Sequence, residues 1–161
     1  MNANHSTIRR AEQDEAQTIT EMVVQSKAHW GYSDEFMEYA AALLTVTPDY
    51  LDQYHCYVLE QEGQLQGFAS WQAQTAAEGV LDMLFVAPSA MGQGVGRQLL
   101  EFVKGIAAAH GYHSLIVESD PNAAPFYEKM GGQLIGHHPV PSIPGRELPL
   151  YRIYLDTDLH G

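Results

Sequence analysis

The sequence predicts a mixed α/β fold of the α+β kind, with about seven strands and about four helices. Three observations predict it. Helical spacing and strand-like alternation succeed one another in the order β-α-α-β-β-β-α-β-α-β-β. Three strands follow each other in the middle of that order, which a regular doubly wound sheet does not accommodate. Finally, 45% hydrophobic against 17% charged residues, in 161 residues, describe one domain with a sizeable core. Residues 1–161 are read as a single domain.

Thr7 to Ala11 reads as the opening strand. A helix follows from about Asp14 to Ser26, with Ile19, Met22 and Val23 at helical spacing. After the aromatic break at His29 to Ser33, Ser33 is a suitable N-cap for a second helix through about Leu44. Cys56 to Glu60 and Leu65 to Ala73 are strands joined at Glu62-Gly63, and Gly79 to Val86 is the next, closed by Ala87-Pro88. Gly94 to His110 is a long helix with Val95, Leu99, Val103 and Ile106 on one face, ended by Gly111. Ser114 to Glu118 is a short apolar strand, and Pro121 to Met130 a short helix before Gly131-Gly132. Gln133 to His137 and Leu148 to Asp156 complete the set as strands.

Twenty acidic against eight basic residues give a net charge of −12, which repels phosphate backbones and excludes general nucleic-acid binding. Residues 1–80 carry 12 acids and three bases, a balance of −9; residues 81–161 carry eight acids and five bases, a balance of −3. Such a distribution suits an anionic ligand on the second half and a cationic one on the first, although a solvated acidic surface explains most of the acids. The single cysteine, Cys56, forms no internal disulfide. No signal-like stretch or apolar run of membrane-spanning length stands out, so a soluble, cytoplasmic protein without a membrane partner is expected.

The most informative segment runs from Leu81 through Pro88 to Gly92-Gln-Gly-Val-Gly-Arg97 and into a helix. Three glycines at alternate positions leave backbone N–H groups uncovered at the positive end of a helix dipole, a cradle suited to a pyrophosphate. The spacing is G-x-G-x-G, not the G-x-G-x-x-G of a dinucleotide fingerprint, and the Gly-Lys-Ser/Thr of a P-loop is absent. NAD and ATP are thereby disfavoured.

With these residues the sequence resembles the GCN5-related N-acetyltransferase (GNAT) superfamily. The family's acetyl-CoA loop, V-x-P-x-x-[QR]-x-x-G-x-[GA], reads here Val86-Ala-Pro88 and then Met91-Gly-Gln-Gly94-Val-Gly96. It departs at Met91, where the family prefers Gln or Arg. A second element, Asn before a helical Phe-Tyr pair and a glycine, is Asn122-Ala-Ala-Pro-Phe126-Tyr127-Glu-Lys-Met-Gly131. The resemblance implies a mostly antiparallel sheet splayed between the fourth and fifth strands. It also implies acetyl transfer from acetyl-CoA to an amine by direct attack in a ternary complex.

On that resemblance, backbone groups of Leu84, Phe85 and Val86 receive the pantetheine arm. Met91, Gly92, Gln93, Gly94, Val95, Gly96 and Arg97 receive the pyrophosphate, with Lys104 as a further cation. Tyr127 matches the family's general acid for the leaving thiolate, and Asn122 a cofactor-contacting position, although Asn122 is equally suited to cap its helix. An alkylammonium of pKa about 10.4 must lose a proton before it attacks. Asp82 matches a strand position where several members carry a general base, and is equally well a strand-edge carboxylate bonded to backbone. Glu118 is a second candidate, acting through water. His110, His113, His137 and His138 are explained by surface placement, and no metal site is expected.

The acceptor channel of the family is flanked by segments matching Lys27 to Glu35 and His138 to Glu147. The first offers His29, Trp30, Tyr32 and Glu35, aromatic faces and carboxylate for a cationic amine. The second holds three prolines and a glycine around Arg146, a guanidinium for a carboxylate. A small molecule bearing both groups, such as an amino acid or its derivative, is the expected acceptor. A polyamine or aminoglycoside, or a non-catalytic acyl-CoA sensor on the same fold, are the alternatives. The oligomeric state stays open, a homodimer included.

Overall fold

A computed structural model describes residues 6–140 and 143–155. Seven strands form one sheet in the order β1-β2-β3-β4-β5-β7-β6. They are β1 (Ser6–Arg10), β2 (His55–Gln61), β3 (Gln64–Ala73), β4 (Glu78–Val86), β5 (Ser114–Glu118), β6 (Gln133–Pro139) and β7 (Glu147–Tyr154). The helices are α1 (Ala16–Ala28), α2 (Asp34–Leu43), α3 (Pro48–Gln53), α4 (Val95–Ala109) and α5 (Ala124–Lys129). The β1–β2, β2–β3, β5–β7 and β6–β7 pairs are antiparallel, and β4–β5 is parallel. The expected mostly antiparallel α+β sheet is therefore present, with five α-helices rather than about four. The additional one is α3, which starts where Thr47 accepts from Tyr50 N and Pro48 occupies the first turn. Gln13–Glu15 form a 3-10 turn, so α1 starts two residues later than expected; β6 runs on through Pro139. Of the expected last strand, Asp156 lies outside the described residues, as do Pro141 and Ser142 of the segment before it.

The chain divides into two compact units. One comprises the chain up to Trp71 together with Met83–Phe102. Its core is built by the buried face of α1 (Ile19, Met22, Val23) with Leu51, Val58 and Phe68. The β2–β3 hairpin closes on Glu62 (φ 53°) and Gly63 (φ 81°), both left-handed as a two-residue turn requires. Further along, Leu59 pairs with Gly67 and Glu60 with Leu65, so Gln66 is an extra residue in β3. Its carbonyl accepts from Ala87 N at 2.9 Å, fixing the end of β4. A Cβ on Gly67 would lie 2.6 Å from Leu99 Cδ1 and 2.8 Å from Val95 Cγ1. The bare backbone at Gly67 thus lets the start of α4 lie directly on β3, and this seats the glycine-rich loop.

The other unit comprises Gln72–Asp82 and the chain from Val103 on. Leu115, Val117, Tyr151 and Ile153 supply its buried strand face. Glu78 joins three strands: it accepts from Ser114 Oγ at 2.7 Å and from Arg152 Nε at 2.8 Å. These bonds, that from Arg152 first, hold the Glu78 carboxyl below the usual carboxylate range. A carboxyl depressed in the folded state contributes stability above its unfolded value of about 4.3, and loses it as pH falls through the folded value. Glu78→Gln is expected to lower Tm at pH 7, with the difference from wild type shrinking below about pH 4, where the unfolded carboxylate protonates, and vanishing once pH has fallen through the lowered folded value. A Tm difference that stays constant from pH 7 to pH 3 would remove this role.

Candidate active site

The loop before α4 has the backbone its glycines permit. Gly92 and Gly94 sit at φ 82° and 83°, and a Cβ at either would meet no atom within 4 Å. Left-handed backbone disfavours any other residue type there. Gly94, Gln93 and Gly92 are exposed, Met91 and Gly96 half-buried, Arg97 exposed, and Val95 is buried as the anchor of the helix. Gln98 N is the α4 donor that bonds back to Gly94 O, at 3.0 Å. The N–H groups of Val95, Gly96 and Arg97 belong to the first turn, where a helix has no internal acceptors and its dipole is positive. Helix-start donors behind exposed glycines are an arrangement that can receive an anion. Leu84, Phe85 and Val86 are half-buried, and Lys104 lies along α4. The buried stripe of α4 is Val95, Leu99, Leu100, Val103 and Ala107; Ile106, expected on it, is only half-buried.

The register of β4 on β5 runs from Glu78↔Ser114 to Leu81↔Val117, and residues 82–86 of β4 continue past it. Pairing between the two parallel strands thus ends at Leu81 and Val117. Asp82 and Glu118 are the next residues on the two parallel strands. Leu81 and Val117 are buried, whereas Asp82 and Glu118 are exposed. By strand alternation the two carboxylates share one face, at the point where the pairing stops. Glu118 Oε2 is hydrogen-bonded to His138 Nδ1, from β6. His138 is therefore a partner of a candidate base, and the sequence reading of it as surface alone missed that pairing.

Tyr127 lies on the opposite face of the sheet. It is buried, 5% exposed, with its ring stacked on Tyr151 at 6.4 Å and edge-on to Phe126 at 5.1 Å. Burial pushes its phenol well above the ordinary tyrosine range, so it holds its proton at neutral pH. Gly132 N donates to Tyr127 O at 2.8 Å, and a Cβ on Gly132 would come within 2.9 Å of that oxygen. The glycine pair after α5 thus fixes the turn that carries the tyrosine. Asn122 is exposed, and capping is done instead by Asp120, whose Oδ1 accepts from Asn122 N at 2.7 Å and Asn122 Nδ2 at 3.0 Å. Asp120 Oδ2 lies 3.9 Å from Arg146 Nη2, so Arg146 faces the start of this turn.

In the segment before α2, Trp30 is exposed and His29 meets it edge-on at 5.8 Å. Tyr32 stacks on Phe36 at 4.3 Å, and Lys27 Nζ lies 5.2 Å above the Tyr32 ring. The chain's own cation therefore meets the aromatic face that the sequence offers to an acceptor. Ser33 Oγ accepts from Phe36 N at 3.1 Å, as a cap should, and Asp34 and Glu35 sit in the first turn of α2. Among the described residues no group of three or more His, Cys, Asp or Glu side chains is placed to hold a metal ion, and no helix is long and apolar enough to cross a membrane.

Comparison with known proteins accords with this geometry. Residues 15–138 match the family model of the acetyltransferase (GNAT) domain. The chain is 25% identical over 146 residues to the 5-NmdU N-acetyltransferase of Pseudomonas phage PaMx11, covering 90% of this chain and 96% of that protein. It is 29% identical over 131 residues to the peptidyl-lysine N-acetyltransferase YiaC of Escherichia coli K12, covering 80% and 84% of the two chains. In fold it is similar to a GCN5-related N-acetyltransferase from Rhodopseudomonas palustris, with TM-score 0.79 and 24% identity over 96% of this chain and 99% of the other. A match over residues 15–138 of 161 decides the family: the chain belongs to the GNAT acetyltransferases, enzymes that move an acetyl group from acetyl-CoA to an amine.

Proposed function

We propose that this chain acetylates the amine of a small molecule that also carries a carboxylate, such as an amino acid or its derivative. The observation that carries the transfer chemistry is the loop at the start of α4, with Gly92 and Gly94 in left-handed backbone and the helix donors behind them. Its N–H groups bind the pyrophosphate of acetyl-CoA, with Arg97 and Lys104 as cations, and the strand segment Leu84–Val86 receives the pantetheine amides. Supporting that cosubstrate, structural relatives from Thermoplasma acidophilum and Salmonella typhimurium were solved with coenzyme A and acetyl-CoA. The near-complete coverage of a single solved chain supports reading both compact units as one transferase domain.

The amine nitrogen attacks the thioester carbonyl, the C–N bond forms, and the C–S bond breaks. Tyr127, protonated at neutral pH, gives its proton to the departing thiolate. Asp82 and Glu118 stand on the sheet face opposite Tyr127, so an amine deprotonated there enters from one side while the thiolate is protonated from the other.

Arg146 supports the acceptor class, because its guanidinium lies near the turn that precedes α5 and is half-buried beside Asp120. Arg146→Ala is expected to raise KM about tenfold for carboxylate-bearing acceptors and leave their amides unchanged, the pattern of a lost binding contact. Equal effects on both removes the carboxylate. A second reading, a lysine side chain of a peptide, is favoured by the likeness to YiaC. Free-thiol release from acetyl-CoA, screened against amino acids, spermidine, kanamycin and a lysine-containing peptide, tests both. Release with the peptide alone selects the second reading. Acetyl-CoA binding with no release for any amine would point to an acyl-CoA sensor.

A further inference from the structure

We propose that His138, oriented by Glu118, is the group that takes the proton from the acceptor ammonium. This rests on the acetyl-transfer reading and assigns its base.

The pairing across the sheet brings the participants to one face. Leu81 pairs with Val117, so Asp82 and Glu118 are neighbours on β4 and β5. Glu118 pairs with Leu150 of β7, and Leu150 with Gly136 of β6. His138 follows Gly136 by two residues and so shares its face. Gly136 adds no side chain to the row of Glu118 and Leu150, and His138, two residues further on, reaches Glu118 across β7. A skipped residue at Ile135, where the β6–β7 register shifts, sets this phase. Among the described residues, the charged and titratable groups nearest the pair along the strands are Asp82 on β4, Asp120 after β5, His137 beside His138 on β6, Arg146 before β7, Glu147 opposite Pro139 and Arg152 on β7.

The contact assigns the tautomer. A carboxylate only accepts, so His138 Nδ1 carries the hydrogen and Nε2 presents a lone pair. A carboxylate behind an imidazole also stabilises the imidazolium that forms on protonation, which is the logic of nucleophile–base–orienter sites generally. Both side chains are open, His138 65% and Glu118 42% exposed, so the imidazole can meet an acceptor and return its proton to water. An ion pair this exposed contributes little to stability, so packing gives no strong reason for it.

The protons balance. The ammonium gives one proton to His138 Nε2, which passes it to solvent. The free amine attacks and expels the thiolate. Tyr127 protonates the sulfur, and the second nitrogen proton restores the phenol through water. The sum is ammonium plus acetyl-CoA giving amide, free coenzyme A thiol and one released proton.

Two measurements test the proposal. Nitrogen-15 NMR of the apoprotein at pH 8 should find the His138 ring protonated at Nδ1 in wild type and a mixture of tautomers in Glu118→Gln. An Nε2-protonated ring in wild type overturns the proposal whatever the activity. Kinetically, His138→Gln should lower kcat/KM about 10²-fold at pH 7 with the best alkylamine of the screen, the scale of lost general-base catalysis. The deficit should shrink as pH rises toward the titration of the amine. With O-methylhydroxylamine as acceptor, which is largely unprotonated at neutral pH, the variant should match wild type. An equal loss with O-methylhydroxylamine, or no loss with the alkylamine, overturns the assignment while leaving acetyl transfer intact. A wild-type protein that releases no thiol with any amine defeats the underlying reading instead.

Discussion

Tyr127→Phe is expected to lower kcat by about 10²-fold or more, the usual scale of general-acid catalysis. KM for acetyl-CoA should change little, because on the proposed mechanism the missing hydrogen acts only as the C–S bond breaks. The substitution keeps the aromatic ring that packs on Tyr151 and Phe126, so the packed turn survives and Tm should stay close to that of wild type. Burial acts in both directions here. It raises the phenol's pKa and so guarantees a proton at neutral pH, but it also makes the phenol a weaker acid in the ground state. On the proposed mechanism the thiolate would change that balance, since a negative sulfur developing beside the phenol is a stronger acceptor than a neutral thioester. Single-turnover thiol release with the best acceptor measures the effect directly. Near-wild-type turnover in the phenylalanine variant would return Tyr127 to a packing role.

What the sequence disclosed about fold and site follows from how local each feature is. Ser33 as a cap, the Glu62-Gly63 turn and the alternate glycines before α4 are each decided within a few residues, and the backbone has the expected form at all three. The helix α3 has six residues, too few for a periodic stripe, although Thr47-Pro48 carried its start signal. Phe126 and Met130, spaced i and i+4, are both half-buried, and Tyr127 between them is the buried residue. A six-residue helix ending on two glycines has no long face to set that choice; the stack on Tyr151 sets it. Contacts between strands distant in sequence were least legible. Glu118 meets His138 only because β7 lies between β5 and β6 and a register shift in β6 restores the side-chain phase. Lys27 above Tyr32 likewise depends on the chain reversing at Gly31, φ 83°, which spacing alone does not reveal.

Gly94→Val is expected to weaken acetyl-CoA binding by at least about tenfold, or about 1.4 kcal/mol. Two costs arise, and they separate. The first is backbone strain, because residue 94 sits at φ 83°, where an L side chain costs roughly 1–2 kcal/mol and a β-branched one more. The second belongs to the ligand. A Cβ at Gly94 meets no protein atom within 4 Å, so the space it enters is open on the protein side. If the pyrophosphate approaches the bare backbone there, the added methyl groups occupy its path and shield the donors of the α4 first turn. Gly94→Ala carries a smaller version of both costs. Gly111→Ala is the matched control: it sits at φ 93°, meets nothing within 4 Å, and lies at the other end of α4. It should lose comparable stability and keep its affinity. Calorimetric titration of the folded variants with acetyl-CoA reads the difference. Undiminished affinity in Gly94→Val excludes close approach at this glycine, and an equal loss in Gly111→Ala assigns the effect to helix strain rather than to the cradle.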